Sequence, residues 1–311
     1  MGAGADPTAD TLARSALVDD TATVLAAGGV DNARAEATWM VEDAVGSGPG
    51  ELLATGGEPV TVGAVRRVEA MVARRLAGEP LQYVLGHWSF RTLDLMVDAR
   101  VLIPRPETEE VVAVTLAELD RLAAGRAPGA VRAPVVVDLG TGSGAIALSV
   151  AAERPGTEVV ATDRSADALA VAAANLAGIG TAGSTVQLCE GHWFEALRQH
   201  RPDLTGGVDV IVSNPPYVAT HEALPAEVAD FEPAGALVAG ERGTEALETI
   251  LRGAAHWLVP DGVLVVECAP HQAGALAAFA RANGFPDVEV VPDLAGRDRA
   301  VVARRAPATD R

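Results

Sequence analysis

A chain of 311 residues is long enough for two domains and for a core that needs neither a disulfide nor a metal staple. Its 24 basic residues against 42 acids give a formal net charge of −18, and every one of the 24 is arginine. Without lysine, P-loop nucleotide chemistry, Schiff-base aldol chemistry, pyridoxal catalysis and protein-kinase chemistry are excluded, and the acidic balance argues against a surface that tracks nucleic-acid phosphates.

The N-terminus reads as a loose acidic tail over residues 1–10. With Asp6, Asp10, Asp19 and Asp20 in place of a basic start and an apolar run, the first thirty residues do not resemble a secretion signal. A helix is predicted from Ala9 to Ala26, closed by Gly28-Gly29. Asp31 is expected to cap a second, in which Ala33, Ala37, Met40, Val41, Ala44 and Val45 recur on one face. Thr61 opens a third, with Val65, Val68, Val72 and Leu76 sharing a face. Residues 1–86 therefore read as a small helical bundle, and the alternation from Trp88 to Ile103 as a β-hairpin linker spanning 87–103.

From residue 104 to 311 the pattern is that of a larger domain. A helix over Glu107–Ala124 and a Gly/Pro/Ala loop over Gly125–Pro134 precede strands predicted at Val135–Leu139, Glu158–Thr162, Thr185–Cys189, Val208–Ser213, Val263–Glu267, Val288–Val291 and Ala300–Arg304. Helices at Ala145–Glu153, Ala166–Leu176, Thr244–Leu258 and Gln272–Asn283 alternate with them. Such alternation builds a mostly parallel α/β sheet with helices on both faces. Cys189 and Cys268 fall in apolar runs and read as buried thiols. The six histidines have no metal-ligand spacing, so no metal is expected. No apolar run reaches membrane-spanning length, and the reading is of a soluble, cytoplasmic monomer.

Two motifs carry chemistry. Asp138-Leu139-Gly140-Thr141-Gly142-Ser143-Gly144 follows a buried strand and opens a helix, where glycines permit a tight turn and close approach of backbone N–H groups to a ligand. Read through Ala145, it also passes as a dinucleotide fingerprint. Asp163, nineteen residues beyond Gly144 at the tip of the next strand, can accept from ribose hydroxyls of whichever nucleoside is bound. Its other reading is an N-cap. The spacing of Asp138, Gly140, Gly142 and Gly144 resembles motif I of the Rossmann-like S-adenosylmethionine methyltransferases.

The second motif, Asn214-Pro215-Pro216-Tyr217, ends the fourth strand of that domain, on the side of a parallel sheet where ligands bind. Two prolines fix the backbone and remove two donors, leaving carbonyls aimed in imposed directions. Asn214 adds a side-chain carbonyl and Tyr217 a flat face. An amide or exocyclic amino nitrogen is a poor nucleophile because its lone pair is delocalised. The Asn214 oxygen and the Pro215 carbonyl can hold its two protons and aim the lone pair at a methyl donor, by positioning and electrostatics.

With these motifs, Gly78-Glu79-Pro80-Leu81-Gln82-Tyr83-Val84-Leu85-Gly86, Leu102-Ile103-Pro104-Arg105-Pro106-Glu107-Thr108-Glu109, Phe231-Glu232-Pro233 and Asp293-Leu294-Ala295-Gly296-Arg297-Asp298-Arg299 fall in one order. The series resembles the HemK/PrmC family of release-factor N5-glutamine methyltransferases over nearly the whole chain. The resemblance implies a helical N-terminal domain that helps hold a protein substrate, a hairpin linker and a seven-stranded Rossmann-like methyltransferase domain. It implies methyl transfer from S-adenosylmethionine, leaving S-adenosylhomocysteine, to the glutamine amide of a release factor's Gly-Gly-Gln motif. Gly140, Thr141, Gly142, Ser143 and Gly144 would then wrap the methionine part of the cofactor, Asp163 the ribose and Trp193 the adenine. Asn214, Pro215, Pro216 and Tyr217 would hold the glutamine, and Arg105 would stand near the active site. The chain departs from the family at two places. His192 stands where an acid is usual, which leaves adenine recognition there to a backbone N–H. Glu267-Cys268-Ala269 replaces Glu-x-Gly in a loop expected to lie outside the methyl-transfer constellation.

Three other functions fit parts of the pattern. A ribosomal-protein glutamine would use the same Asn214 constellation, and the N-terminal bundle favours the release factor. A flipped adenine amino group suits Asn-Pro-Pro-Tyr chemically, but the −18 charge and the lack of a basic region weigh against nucleic acid. A non-catalytic cofactor-binding scaffold is disfavoured by the intact Gly140–Gly144 run, Asp163 and Asn214.

Overall fold

The computed structural model describes residues 12–125 and 132–308. The acidic tail, the start of the helix predicted from Ala9 and residues 126–131 of the predicted loop lie outside the described residues. Packing divides the chain into two units: the described residues up to Gly86 with Ala226–Phe231, and those from His87 to Pro225 and from Glu232 onward.

The first unit is helical. Helix α1 (Arg14–Ala27) buries Leu17, Val18, Thr21 and Leu25 on one face, and α2 (Ala33–Val45) buries Ala33, Ala37, Met40, Val41 and Ala44. The residue before α2 is Asn32, not Asp31, and no side chain caps the helix; Gly46 ends it with φ 71°. After the single turn α3 (Leu52–Thr55), α4 (Val62–Leu76) is capped as predicted, with Thr61 Oγ1 accepting from the Ala64 N–H at 3.1 Å. Its buried residues are Ala64 and Val68, whereas Leu76 is 43% exposed, so the predicted apolar face is only half covered. Arg74 donates to the carbonyls of Tyr83 and Val84 at the end of α5 (Leu81–Leu85), and Arg75 makes a two-pronged pair with buried Glu36 at 2.7 and 3.2 Å.

The second unit opens with the hairpin β1 (His87–Phe90) and β2 (Leu93–Met96), turned at Arg91, whose φ is 52°. Arg91 is anchored by paired bonds to Glu153 at 2.6 and 2.7 Å. Helix α6 (Pro106–Ala124) starts with proline at its first turn, where the missing N–H costs nothing. Then follow β3 (Val135–Leu139), α7 (Ala145–Glu153), β4 (Glu158–Asp163), α8 (Ala166–Gly178), β5 (Val186–Glu190), α9 (Phe194–His200) and β6 (Val208–Ser213). The short elements β7 (Val218–Ala219), α10 (Ala226–Phe231), α11 (Ala234–Leu237) and β8 (Val238–Gly240) lead to α12 (Glu245–Trp257), β9 (Leu258–Glu267), α13 (Ala273–Ala282), β10 (Asp287–Pro292) and β11 (Asp298–Arg304). Of these, α10 is the segment that packs with the helical unit, where Glu227 pairs with Arg75 at 3.2 Å.

Seven strands form one sheet in the order β10-β11-β9-β6-β3-β4-β5. Only β11 runs against its neighbours. The central strands are near-continuous valine because they are buried on both faces. Val137, Leu139, Ile211 and Leu264 pack on one side with α9, α12 and α13. Val136, Val210, Val212 and Val265 pack on the other with α6, α7, Phe90 and Leu95. The hairpin therefore shares the core of the second unit. Strand order reverses between β3 and β6, which opens a crevice at their carboxyl ends.

Candidate active site

The crevice at the strand reversal is a cavity of about 470 Å³. Its wall includes Gly140–Ser143, Asp163, Trp193, Asn214 and Pro216 from the sequence prediction, together with Thr108, Arg164 and His192. Gly144, Pro215 and Tyr217 are not part of that wall. Gly144 instead meets Leu148 and Ala172, where a Cβ would come within 3.0 Å of the leucine side chain. The ends of the two strands are tied by Ser213 Oγ, which donates to the Leu139 carbonyl at 2.6 Å.

The glycine loop winds back on itself. Gly140, Gly142 and Gly144 have φ of 77°, 57° and 87°, a region costly for any residue with a Cβ. The N–H groups of Gly140 and Thr141 both donate to the Thr162 carbonyl, at 2.8 and 2.9 Å, and that of Gly144 to the Thr141 carbonyl at 2.9 Å. The Gly142 N–H donates to Asp163 Oδ2 at 2.9 Å. Four of the loop's five N–H groups, all but that of Ser143 on the cavity wall, are thus engaged within the protein, which narrows the expectation that they approach a ligand. A pyrophosphate would need them free; a cationic methionine moiety would not. Asp163 Oδ1 accepts from the Ser165 N–H at 2.9 Å, and each carboxylate oxygen retains a lone pair for a ribose hydroxyl. The cap of α8 is Ser165, not Asp163. A Cβ on Gly142 would meet nothing within 4 Å, so the space beside the loop is open to a cofactor.

Behind the loop, Asp138 is fully enclosed. Its Oδ2 accepts from Thr141 Oγ1 at 2.6 Å and the Ala147 N–H at 3.2 Å. Its Oδ1 has no hydrogen-bond partner among the described residues. Burial pushes this carboxyl up to about 7, against the pull of the two donors. Asn175, in the middle of α8, holds the loop from the other side: its Nδ2 donates to the Ser143 carbonyl at 2.9 Å and the Met96 carbonyl at 3.1 Å, and its Oδ1 accepts from the Met96 N–H at 2.7 Å. Sequence reasoning missed Asn175, because a polar residue inside a helix carries no local signal of its partners.

Trp193 lies on the cavity wall and also backs on the core of the sheet. A Cβ on Gly140 would come within 3.2 Å of its ring, so the glycine is what lets the indole approach. Its φ of 47° is strained for a bulky residue. His192, beside it at 5.1 Å between ring centroids, has its pKa lowered by burial and by Arg164.

The Asn-Pro-Pro-Tyr end is held by side chains from distant segments. Asn214 Nδ2 donates to Thr108 Oγ1 at 3.0 Å, which leaves Oδ1 as the acceptor. Thr108 Oγ1 donates to Glu267 Oε2 at 2.7 Å, and the Tyr217 hydroxyl to Glu267 Oε1 at 3.3 Å. The loop after β9 is therefore not outside the constellation, as expected from sequence: Glu267 stands two hydrogen bonds from the Asn214 amide. Burial pushes Glu267 up to about 7, opposed by Thr108, Arg299 and Tyr217. Ala269, in the place of the usual glycine, has φ −68°, so no glycine is required there. Gln272 fixes the segment beyond, donating to the Tyr217 carbonyl at 2.9 Å and the Gly243 carbonyl at 3.2 Å.

The remaining motifs are braces of this end. Buried Glu232 pairs with Arg105 and accepts from the Ile103 N–H at 3.2 Å. In the closing motif the Arg297 N–H and guanidinium hold the Asp293 carboxyl down to about 2, and Asp293 in turn bonds Arg299 at 3.3 Å. Among the described residues no group of His, Cys, Asp or Glu could hold a metal ion, and no helix is long and apolar enough to cross a membrane.

The sheet order, the reversed seventh strand and a glycine-loop cavity define a Rossmann-like methyltransferase. Residues 16–86 match the PrmC N-terminal domain family and residues 126–231 the methyltransferase small domain family. The chain is 42% identical over 254 residues to the release factor glutamine methyltransferase of Xylella fastidiosa (strain 9a5c), covering 81% of this chain and 86% of that one. It is 40% identical over 282 residues to that of Cereibacter sphaeroides, covering 90% and 94%. The delta-N METTL16 MTase domain shares the fold, with a TM-score of 0.51 at 16% identity over 78% of this chain and 95% of that one. The chain belongs to the release factor glutamine methyltransferase family.

Proposed function

We propose that this protein transfers a methyl group from S-adenosylmethionine to the side-chain nitrogen of the glutamine in the Gly-Gly-Gln motif of a peptide chain release factor, modulating translation termination in the cytoplasm. The observation that carries this reading is the polarity of Asn214, whose nitrogen is engaged by Thr108 and whose oxygen remains an acceptor beside the glycine loop. S-Adenosylmethionine, when bound, supplies an electrophilic methyl on a sulfonium and departs as S-adenosylhomocysteine. Gly140–Ser143 and Asp163 hold its methionine and ribose ends, and Trp193 offers an indole face to the adenine.

Asn214 Oδ1 accepts one of the two protons of the substrate amide, and the other is assigned to the Pro215 carbonyl, although Pro215 is set back from the wall that Asn214 and Pro216 line. That arrangement turns the nitrogen lone pair toward the methyl group for in-line displacement, so most of the acceleration comes from orientation. As the bond forms, the nitrogen becomes cationic and more acidic, and both acceptors then bind it more strongly than in the ground state. Neither is a base at neutral pH, so the surplus proton leaves to water. Pro216 keeps the turn rigid, and Tyr217 acts from behind the wall through Glu267.

The test is mass spectrometry of a release factor after incubation with enzyme and S-adenosylmethionine, read at the Gly-Gly-Gln glutamine. One added methyl at that side chain is expected. Label entering only a ribosomal protein, or only DNA, would overturn the assignment.

A further inference from the structure

Asn214 is useful only if its carboxamide faces the right way, since a flipped amide would offer N–H groups to a substrate that brings N–H groups of its own. The choice is set by a hydroxyl with a single proton. Thr108 Oγ1 lies 2.7 Å from Glu267 Oε2 and 3.0 Å from Asn214 Nδ2. A carboxylate only accepts, so the Thr108 proton goes to Glu267 and a lone pair is left for Asn214. Only the amide nitrogen can meet that lone pair. Tyr217, donating to the other oxygen at 3.3 Å, reinforces the same direction.

We infer that Glu267 is a positioning residue that acts through Thr108 to lock the Asn214 carboxamide with its oxygen toward the substrate. This rests on the proposed amide methylation. Arg299 favours the carboxylate form, Glu107 opposes it, and Thr108 and Tyr217 stabilise it by donating. A protonated Glu267 can donate in its turn, which frees the Thr108 proton to point at Asn214 and removes the reason for the amide's orientation. Because burial already brings Glu267 to about 7, that reversal falls where it can be measured.

The experiment has two readouts. In the ¹⁵N-labelled enzyme, the Asn214 side-chain NH₂ signal, assigned by its loss in Asn214→Ala, is followed from about pH 5.5 to about pH 8.5. It is expected to titrate in the wild type, and to lose that titration in Thr108→Val and Glu267→Gln. In release-factor methylation, Thr108→Val lowers kcat by about tenfold or more with S-adenosylmethionine affinity unchanged, and Thr108→Ser restores it to within about threefold. Glu267→Gln, whose amide oxygen still accepts from Thr108, removes the acid limb of the kcat profile. An Asn214 signal indifferent to pH and to both variants overturns the inference, as does wild-type kcat in Thr108→Val. If Thr108→Val no longer binds cofactor, Glu267→Gln decides alone. If the wild type methylates no release factor while the Asn214 signal behaves as stated, the relay stands and the substrate assignment falls.

Discussion

The two ends of the cavity are built on different principles. At the cofactor end, a contiguous run from Asp138 to Ala147 is held by its own Asp138 carboxylate and by the tip of the neighbouring strand, where Thr162 and Asp163 accept from its N–H groups. At the Asn214 end, the geometry is fixed by side chains that lie 106 and 159 residues apart in the chain. The first end is a property of local conformation, and three glycines at positive φ nearly dictate it. The second exists only once the sheet has brought α6, β6 and β9 together. The glycine end should therefore tolerate little backbone change, whereas the Asn214 end should be sensitive to which atoms donate and accept.

The largest effect expected is a separation of the two ends. Asn214→Ala removes the acceptor and should lower kcat by about 10²–10³-fold, comparable to deleting a preorganised hydrogen bond to a developing charge. Calorimetry should show S-adenosylmethionine binding within about threefold of wild type; a collapse of that affinity would mean the two ends are not separable. Gly142→Val does the reverse. Its φ of 57° is strained for a β-branched residue, and the side chain projects into open space beside the loop. Cofactor affinity should fall by about a hundredfold, close to the limit of what such strain and blockage cost.

The same contrast explains what was legible in the sequence. The valine strands and the Gly140–Gly144 loop were readable because burial on both faces and positive φ leave local signatures. Asn214 and its two prolines were readable as a motif. Thr108 lies in a segment that carries the family resemblance and Glu267 in one that departs from it, yet nothing local says that a threonine at the start of α6 meets a carboxylate at the end of β9. Short elements were missed for a related reason. Helix α9 starts at a strained Trp193 and lasts seven residues, too short for a periodicity to emerge. The crossing of Ala226–Phe231 to the helical unit rests on contacts such as Phe231 against Gly78, 3.6 Å from where a Cβ would stand.

Both ends enclose a carboxyl raised to about 7, and the consequence for stability has a definite sign. A buried acid with a raised pKa binds its proton more tightly in the native than in the unfolded chain. Its contribution is greatest below the unfolded value and is lost as pH rises toward the folded one. Glu267→Gln removes this for one group. Relative to wild type, the variant should gain about 3 kcal/mol between about pH 4.5 and pH 7, then level off, as followed by urea unfolding across that range. A difference that stays flat across this range would show instead that Glu267 is held as a carboxylate.

Next in size is the brace that belongs to neither end. Asn175→Ala strips hydrogen bonds from the Ser143 carbonyl and from both backbone groups of Met96. Leaving the buried Ser143 carbonyl unpaired costs about 2 kcal/mol, while the Met96 groups, in a partly exposed strand, can turn to water. The melting temperature should fall by a few degrees and cofactor affinity should weaken modestly, because Ser143 is part of the cavity wall. An unchanged kcat at saturating cofactor would place the loss at the glycine end alone.

The smallest effect tests the Asn214 end most narrowly. Tyr217 donates to Glu267 across 3.3 Å, a long bond that stabilises the carboxylate weakly. Burial and the neighbouring carboxylate keep the phenol itself far above its ordinary pKa, so it remains a donor throughout the working range. Tyr217→Phe preserves the ring and removes only this donor. Glu267 should then hold its proton to a pH higher by about half a unit, and the acid limb of kcat should move up with it. The rate above the limb should change little, since Thr108 still donates to the other oxygen. A limb that stays in place would leave Thr108 as the sole link between Glu267 and Asn214, and a limb that moves down would show that Tyr217 receives a hydrogen bond from Glu267 and does not give one.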